Sequence, residues 1–493
     1  MYEGTWESVR THRVPVWYDD AKLGIFIHWG LYSVPGWAPR VPDIQQLLVH
    51  DGPKRMLRES PYAEWYRNSM QIKGSPTQEY HALTYGEDYP YDNFVRTFDD
   101  ASSGAELNVI ADLCQAAGAR YVVLTTKHHD GFALWPSRVP HPVKGEYHAR
   151  RDLVGDLSAA VRARRMRMGL YYSGGYDWPY NDAVLSTAAD AVLAAPQGPR
   201  YVEYVTAHFH ELIDRYRPSV LWNDIAWPKD PRLPELFAYY YNSVEEGVIN
   251  DRWREPGLSR NAVTDAVVRG AGAALQALWP LIPERRKHLT FATPKHYDFR
   301  TPDYEVLRTV TARKWELAQG VGHSFGANRH EEPEDIITET DLIERFCDVV
   351  SKNGNLLIGV GPRPDGTIPE LQQAPLRGLG AWLDVNAEAI YGSRPWVVAE
   401  SATVDGMPLR FTKSGEGVYA LVMGMPRARR ITLPAIDGAR VRRVRLVGAD
   451  VPLDFSVERG GDLSVTVPER LPTSAVTVLD LGSDVVARVG RAG

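Results

Sequence analysis

A parallel α/β barrel followed by an antiparallel β-sandwich is the architecture this sequence predicts. Three observations lead there. Between about 20 and 390, short apolar runs alternate with amphipathic stretches of helical period, the signature of βα units around a parallel sheet. Each apolar run ends in polar, chemistry-bearing residues while the helices end in bland ones, as expected of a barrel with its chemistry at one rim. After about 395 the pattern becomes short alternating runs separated by Gly, Pro and Asp turns, which reads as a sandwich. The 493 residues exceed one ordinary core. The expected division is a (β/α)8-like, TIM-type catalytic barrel over 1–392 with an insertion near 254–295, a β-sandwich over 393–485, and a loose tail over 486–493.

The elements follow in order. Gly24-Ile25-Phe26-Ile27-His28 is a first strand ending in histidine. Ser103-Gly104-Ala105-Glu106 has the form of a capping box opening a helix along Leu107, Ile110 and Cys114, with Gly118 as its stop. Tyr121-Val122-Val123-Leu124-Thr125-Thr126 is the next strand and runs into Lys127-His128-His129-Asp130-Gly131. Leu153, Leu157 and Val161 mark a helix, and Met168-Gly169-Leu170-Tyr171-Tyr172-Ser173 is the strand after it. Tyr201, Val205, His208, Leu212 and Tyr216 recur at helical spacing before the apolar run Ser219-Val220-Leu221-Trp222, which closes on Asn223-Asp224. An acid at a strand's C-terminal end is where a barrel places its chemistry; an Asp that merely caps a turn is the bland alternative. Residues 254–295 break the rhythm with an Ala/Gly-rich helical piece. Asn353-Gly354-Asn355-Leu356-Leu357 is the last barrel strand. In the sandwich, strands are expected at 408–412, 418–422, 430–433, 441–447 and 463–467.

Composition excludes several function classes. A net charge of −6 with no basic stripe argues against a nucleic-acid partner, and no apolar run approaches a membrane span. Cys114 and Cys347, the two cysteines, read as buried apolar residues. The N-terminal residues lack the basic and apolar regions of a secretory signal, so a soluble, cytoplasmic protein is expected. The 14 Trp and 25 Tyr lean weakly towards carbohydrate, whose ring faces suit flat side chains.

Strand ends supply His28, His128 with His129, Tyr171 with Tyr172, and Asp224. Three readings compete for them: a metal site, a sugar site with paired carboxylates, and satisfied polar groups at a barrel rim. If strand geometry persists, His128 and His129 point to opposite sides and do not share one ion. Lys22 and Lys127 read as packing groups behind the rim.

Taken together, several segments resemble the α-L-fucosidases of glycoside hydrolase family 29. They are the run from Trp17 through Ile27-His28-Trp29-Gly30 to Pro35, Glu64-Trp65-Tyr66, Lys127-His128-His129-Asp130-Gly131-Phe132, Tyr171-Tyr172-Ser173-Gly174-Gly175, Leu221-Trp222-Asn223-Asp224, Asn250-Asp251-Arg252-Trp253, Lys314-Trp315-Glu316, Ser324-Phe325-Gly326 and Asn353-Gly354-Asn355-Leu356-Leu357. The resemblance implies a retaining, exo-acting α-L-fucosidase that needs neither metal nor cofactor and acts on α-L-fucosylated glycans or glycosides, with a homo-oligomer left open. By position, Asp224 takes the nucleophile's place. His28, Glu64, Trp65, His128, His129, Trp222, Arg252 and one of Tyr171 and Tyr172, with Tyr171 favoured, match sugar-binding positions, and Phe26 and Phe325 match an apolar wall. Such a wall rewards the methyl that fucose carries where other sugars have a hydroxymethyl.

One departure stands out. In Phe299-Arg300-Thr301-Pro302-Asp303-Tyr304, Asp303 occupies the place of a glutamate acid/base. Its shorter side chain draws the carboxyl back by about a bond length, while retaining chemistry wants the two carboxyls about 5–5.5 Å apart. Asp303 is favoured slightly over Glu305. The alternatives are a fucose-binding or weakly active homologue with a drifted acid/base, and, further off, a metal-dependent barrel hydrolase.

Overall fold

The computed structural model describes residues 1–493 except 256–259, 288–292, 303–305, 416, 427, 450, 470, 472–473 and 489–493. Seven parallel strands form the first domain's sheet: β1 Leu23–Ile27, β2 Tyr121–Lys127, β3 Arg167–Ser173, β4 Val220–Asp224, β5 Val248–Ile249, β6 Trp315–Gly320 and β7 Gly354–Val360. Their spatial order is β5-β4-β3-β2-β1-β7-β6. The gap between β5 and β6 is bridged by an irregular segment. Asp298 and Phe299 donate their N–H groups to Ile249 O, Arg300 N–H donates to Lys314 O, and Glu316 N–H donates to Arg300 O at 2.7 Å. Residues 298–302 therefore act as an eighth, non-regular stave between two strands.

Alternation sorts the side chains. Phe26, Tyr121, Val123, Tyr171, Val220, Trp222, Ala318 and Leu357 fill the barrel interior. Their neighbours Ile25, Val122, Leu170, Leu221 and Leu356 face the surrounding helices in the main core. The helix Pro199–Tyr216 lays Tyr201, Val205, His208, Leu212 and Tyr216 against the barrel, as its spacing predicts. Cys114 and Cys347 are buried, free thiols.

Two local expectations fail. Ser103 is not part of a capping box: it sits at the C-cap of the helix Phe94–Ser102 and donates to Asp100 O. Glu106 occupies the next helix's N-cap without a side-chain hydrogen bond. The end of the chain is also not loose up to Arg488, since Asp437 N–H donates to Val486 O and Arg488 N–H to Ala435 O. The insertion contains the helix Ala262–Leu278, with Pro280 just beyond its end.

The second domain packs a six-stranded antiparallel sheet (Arg394–Ala402, Pro408–Ser414, Gly417–Met423, Arg445–Leu446, Val451–Pro452, Val476–Asp480) on a three-stranded one (Arg430–Asp437, Phe455–Val457, Asp462–Thr466). Of the strand expected at 441–447, only Arg445–Leu446 forms. The sandwich core is mainly aliphatic, built on Leu409, Val422, Leu433, Leu463 and Leu479 with Phe411 and Trp396 among them. It docks on the barrel through the Glu370–Asn386 helix, where Trp382 Nε1–H donates to Val476 O at 3.1 Å. Among the described residues no helix is long and apolar enough to cross a membrane.

Candidate active site

Asp224 closes β4 and is 8 % exposed at the floor of a cavity of about 520 Å3. Three donors converge on its carboxylate: Arg252 Nη1–H at 2.9 Å and Ile225 N–H at 2.8 Å on Oδ1, and the Tyr171 hydroxyl at 2.8 Å on Oδ2. Burial pushes its pKa up, but the Arg252 guanidinium, supported by the Tyr171 and Ile225 hydrogen bonds, more than offsets that, and the group lies below the usual carboxylate value. Asp224 is therefore ionised at neutral pH. Tyr171 hydroxyl reaches it because Ser173 of β3 pairs with Asp224 of β4, placing Tyr171 one layer below beside Trp222. Tyr172 faces the other way and bonds His208.

The backbone around Asp224 is specialised. Ile225 adopts φ +71, a conformation costing about 1–3 kcal/mol in a β-branched residue, and this turns its N–H onto the carboxylate. The preceding loop approaches closely: a Cβ on Gly174 would lie 2.2 Å from Asn223 Oδ1, and one on Gly175 would lie 2.5 Å from Ala226 N. Asn250 clamps the strand end by accepting from Asn223 N–H at 3.1 Å and donating to Asn223 O at 2.7 Å. Arg252 is aimed from its far side by Thr301, whose Oγ1 and carbonyl accept from Nε and Nη2 at 3.0 and 3.1 Å. Its guanidinium carbon lies 4.8 Å from the Trp222 ring centroid.

Three histidines share the cavity. Burial pushes His28 and His129 down to about 3 and His128 well below its ordinary value, so all are neutral imidazoles. Ser173 hydroxyl donates to Tyr176 O at 2.9 Å and sits 2.7 Å from His129 Nδ1. With the serine proton committed, His129 carries its proton on Nδ1, which leaves Nε2 as an acceptor. His128 and His129 do not diverge, because the condition for it, continued strand geometry, is not met. Strand geometry ends at Lys127, the chain turns, and the two rings lie 4.0 Å apart along the same cavity. Lys127 itself is fully buried on Asp177 at 3.0 Å, a carboxylate that also meets His141 at 2.9 Å.

Glu64 and Trp65 enter on the short turn Ala63–Trp65. Burial raises Glu64 to about 7, opposed by Gly326 N–H at 2.9 Å and the Ser324 hydroxyl at 3.1 Å. Phe26 and Phe325 line the cavity with His28 between them, its ring centroid 4.3 and 4.8 Å from theirs. Trp222 is fixed from below: its Nε1–H donates to Glu316 at 3.0 Å, and Glu316 also accepts the hydroxyls of Tyr18 and Tyr121. Phe26, His28, Glu64, Trp65, His128, His129, Tyr171, Trp222, Asp224, Arg252 and Phe325 thus line one cavity. Asp303 and Glu305 lie outside the described residues.

Sequence reasoning gave no role to Thr301, Tyr176, Ile225 or the supporting Glu316. Glu316 carried a usable signal, a carboxylate at an inward position of an apolar strand. Among the described residues, no three His, Cys, Asp or Glu side chains form a group able to hold a metal ion.

Comparison with known proteins places this arrangement in context. A family model described as alpha-L-fucosidase matches residues 1–388. Among curated relatives, the alpha-L-fucosidase of Dictyostelium discoideum is 30% identical over 96% of this chain and 90% of its own length. The human tissue alpha-L-fucosidase is 29% identical, covering 96% and 89%. Among solved structures, Thermotoga maritima alpha-fucosidase in complex with a mechanism-based inhibitor is 38% identical with a TM-score of 0.80, covering 98% of this chain and 100% of that one. An alpha-L-fucosynthase of the same organism, bound to a difucosyl azide, superposes with a TM-score of 0.83 at 38% identity over 97% and 99%.

Proposed function

The chain belongs to the α-L-fucosidase family of glycoside hydrolases, and on that premise we propose that Asp224 is its nucleophile. The supporting observation is a buried carboxylate held ionised by Arg252, Tyr171 and Ile225 in a cavity of neutral imidazoles and aromatic rings. Asp224 attacks the anomeric carbon of an α-L-fucoside while the bond to the leaving oxygen breaks. A carboxylic acid at Asp303, or at Glu305, gives that oxygen its proton. The same carboxylate then takes a proton from water as the water attacks the anomeric carbon, releasing fucose with retention and restoring Asp224. The Arg252 charge keeps the nucleophile deprotonated, while the second carboxyl has to enter the cycle protonated to act as the donor.

The histidines, Glu64 and Trp65 orient the ring hydroxyls. His129 Nε2 accepts a hydrogen bond from a ring hydroxyl, and Glu64 accepts another through the carboxylate oxygen turned away from Gly326 and Ser324. Phe26 and Phe325 take the C5 methyl. The substrates are α-L-fucosylated glycans or glycosides.

Trapping with a 2-fluoro-fucosyl donor tests the assignment: a covalent label on Asp224 supports it, and a label on another side chain removes it. In Asp224→Ala, added azide is expected to restore turnover and to yield β-fucosyl azide. Of Asp303→Ala and Glu305→Ala, the true proton donor is the one whose loss slows poor leaving groups far more than good ones.

A further inference from the structure

The cavity extends beyond the residues that surround Asp224. Its outer wall is assembled from segments distant in sequence. The helices Ile44–Asp51 and Pro53–Arg58 form one side, contributing Leu48, Met56 and Leu57. The helix Ala188–Leu193 and the inserted helix Ala262–Leu278, which runs on into Trp279, form the other, contributing Val192, Leu275 and Trp279.

The wall is pinned in place. Trp279 Nε1–H donates to Leu48 O at 2.9 Å, Lys54 N–H donates to Gln276 Oε1 at 3.3 Å, and Lys287 Nζ donates to Val49 O at 3.0 Å. On the opposite side Arg269 pairs with Asp190 at 3.3 Å, and a Cβ on Gly272 would lie 2.8 Å from that of Ala189. These bonds turn the polar groups of the insertion towards the protein and leave hydrocarbon and an indole ring along the cavity. Val192 and Leu275 remain 62 % and 38 % exposed.

The contrast with the inner part is chemical. Among the described lining residues, every carboxylate, guanidinium and imidazole belongs to the inner group around Asp224. To the outer wall the helices add Gln45, with Ser60 and Tyr62 nearby, as polar side chains. Gln45 Oε1 is buried without a hydrogen-bond partner, and Ser60 Oγ accepts from Tyr62 N–H. The Gln45 amide and two hydroxyls are too few to partner the several hydroxyls of a second sugar, and a hydroxyl desolvated without a partner opposes binding.

We propose that this outer wall is a leaving-group subsite for an apolar aglycone, an alkyl or aryl group rather than a sugar. The proposal rests on reading the inner cavity as the fucose site. An aglycone leaving the anomeric carbon opposite Asp224 is carried between the two walls, and each methylene it buries there raises kcat/KM roughly four-fold.

The test measures fucose release from α-L-fucosyl fluoride, methyl and hexyl α-L-fucosides, and α-L-fucosyl-(1,2)-galactose. Methanol and hexanol are similar leaving groups, so their ratio reports binding of the chain. A hexyl-to-methyl ratio in kcat/KM of at least about ten is expected, with the disaccharide below hexyl. Leu275→Asp and Val192→Asp should each cut that ratio at least about threefold. Val267→Asp, on the same helix but 63 % exposed and away from the cavity lining, should not change it. A ratio near one, a disaccharide that outruns the hexyl glycoside, or a ratio indifferent to Leu275→Asp and Val192→Asp overturns the proposal. The fluoride, whose leaving group is a single atom, reads the inner site alone. If it is hydrolysed while the ratio is flat, only the aglycone assignment falls; if nothing in the panel is hydrolysed, the fucosidase reading falls with it.

Discussion

The barrel interior and the sandwich core are both largely buried, yet they are filled with different chemistry. The sandwich buries Leu433, Leu463, Val465 and Leu479, and among its described residues the one deeply buried carboxylate, Asp480, is met by Arg443 and Arg445. The barrel buries Asp224, Arg252, Glu316, Glu64 and three histidines among aromatic rings. A charge taken from water costs several kcal/mol unless matched. The barrel meets that cost with designated partners: three donors on Asp224 and three on Glu316. One core is built to be stable, and the other uses stability to hold charge where a reaction needs it.

Substitutions can break or sharpen this contrast. The largest expected effect is Asp224→Ala, which should lower kcat on an aryl fucoside by roughly 10^4-fold or more while circular dichroism stays native. Glu316→Leu comes next. It strands the Tyr18 and Tyr121 hydroxyls and the Trp222 N–H, so a loss of about 3–5 kcal/mol in urea unfolding is expected, with Glu316→Gln recovering part of it. In the sandwich, Leu433→Ala should cost about 2–4 kcal/mol through the cavity it leaves, with kcat per folded molecule unchanged. If Leu433→Ala alters kcat, the two cores are not independent.

The smallest effect is one of pH. Glu64 titrates near 7 because burial raises it, and its ionised form is the better acceptor for sugar hydroxyls. Wild-type kcat/KM should therefore climb as pH rises through about 7. In Glu64→Gln that step should vanish, leaving a plateau roughly tenfold lower. A step that survives the substitution belongs to another group.

The contrast also explains what could be read from the sequence. Helix–strand alternation, the strand carrying Trp222 and Asp224, and the switch to short β-runs were legible because each follows from local periodicity. The shared placement of His128 and His129 was not. It depends on where strand geometry stops, and that is set by the turn after Lys127 rather than by the strand's own residues. Ser103 misled because a capping-box pattern fits equally well where one helix is still ending. The eighth stave has no apolar run to announce it: Asp298 and Pro302 are poor strand formers, and the segment is held by neighbours on both sides. The apolar outer wall was invisible for a related reason, since residues near 50, 190 and 275 meet only once the chain is folded. Residues 303 and 305 stay where the sequence comparison left them, outside the described residues.

That irregular stave has a consequence for how the molecule loosens. A ring opens first at its weakest join, and here the join also seats the guanidinium that keeps the nucleophile charged, through Thr301. Amide protons of 298–301 should therefore exchange ahead of those in the regular strands around them. Heating or mild denaturant should extinguish turnover before global unfolding begins, with the hoop coming undone at the point that arms the catalyst.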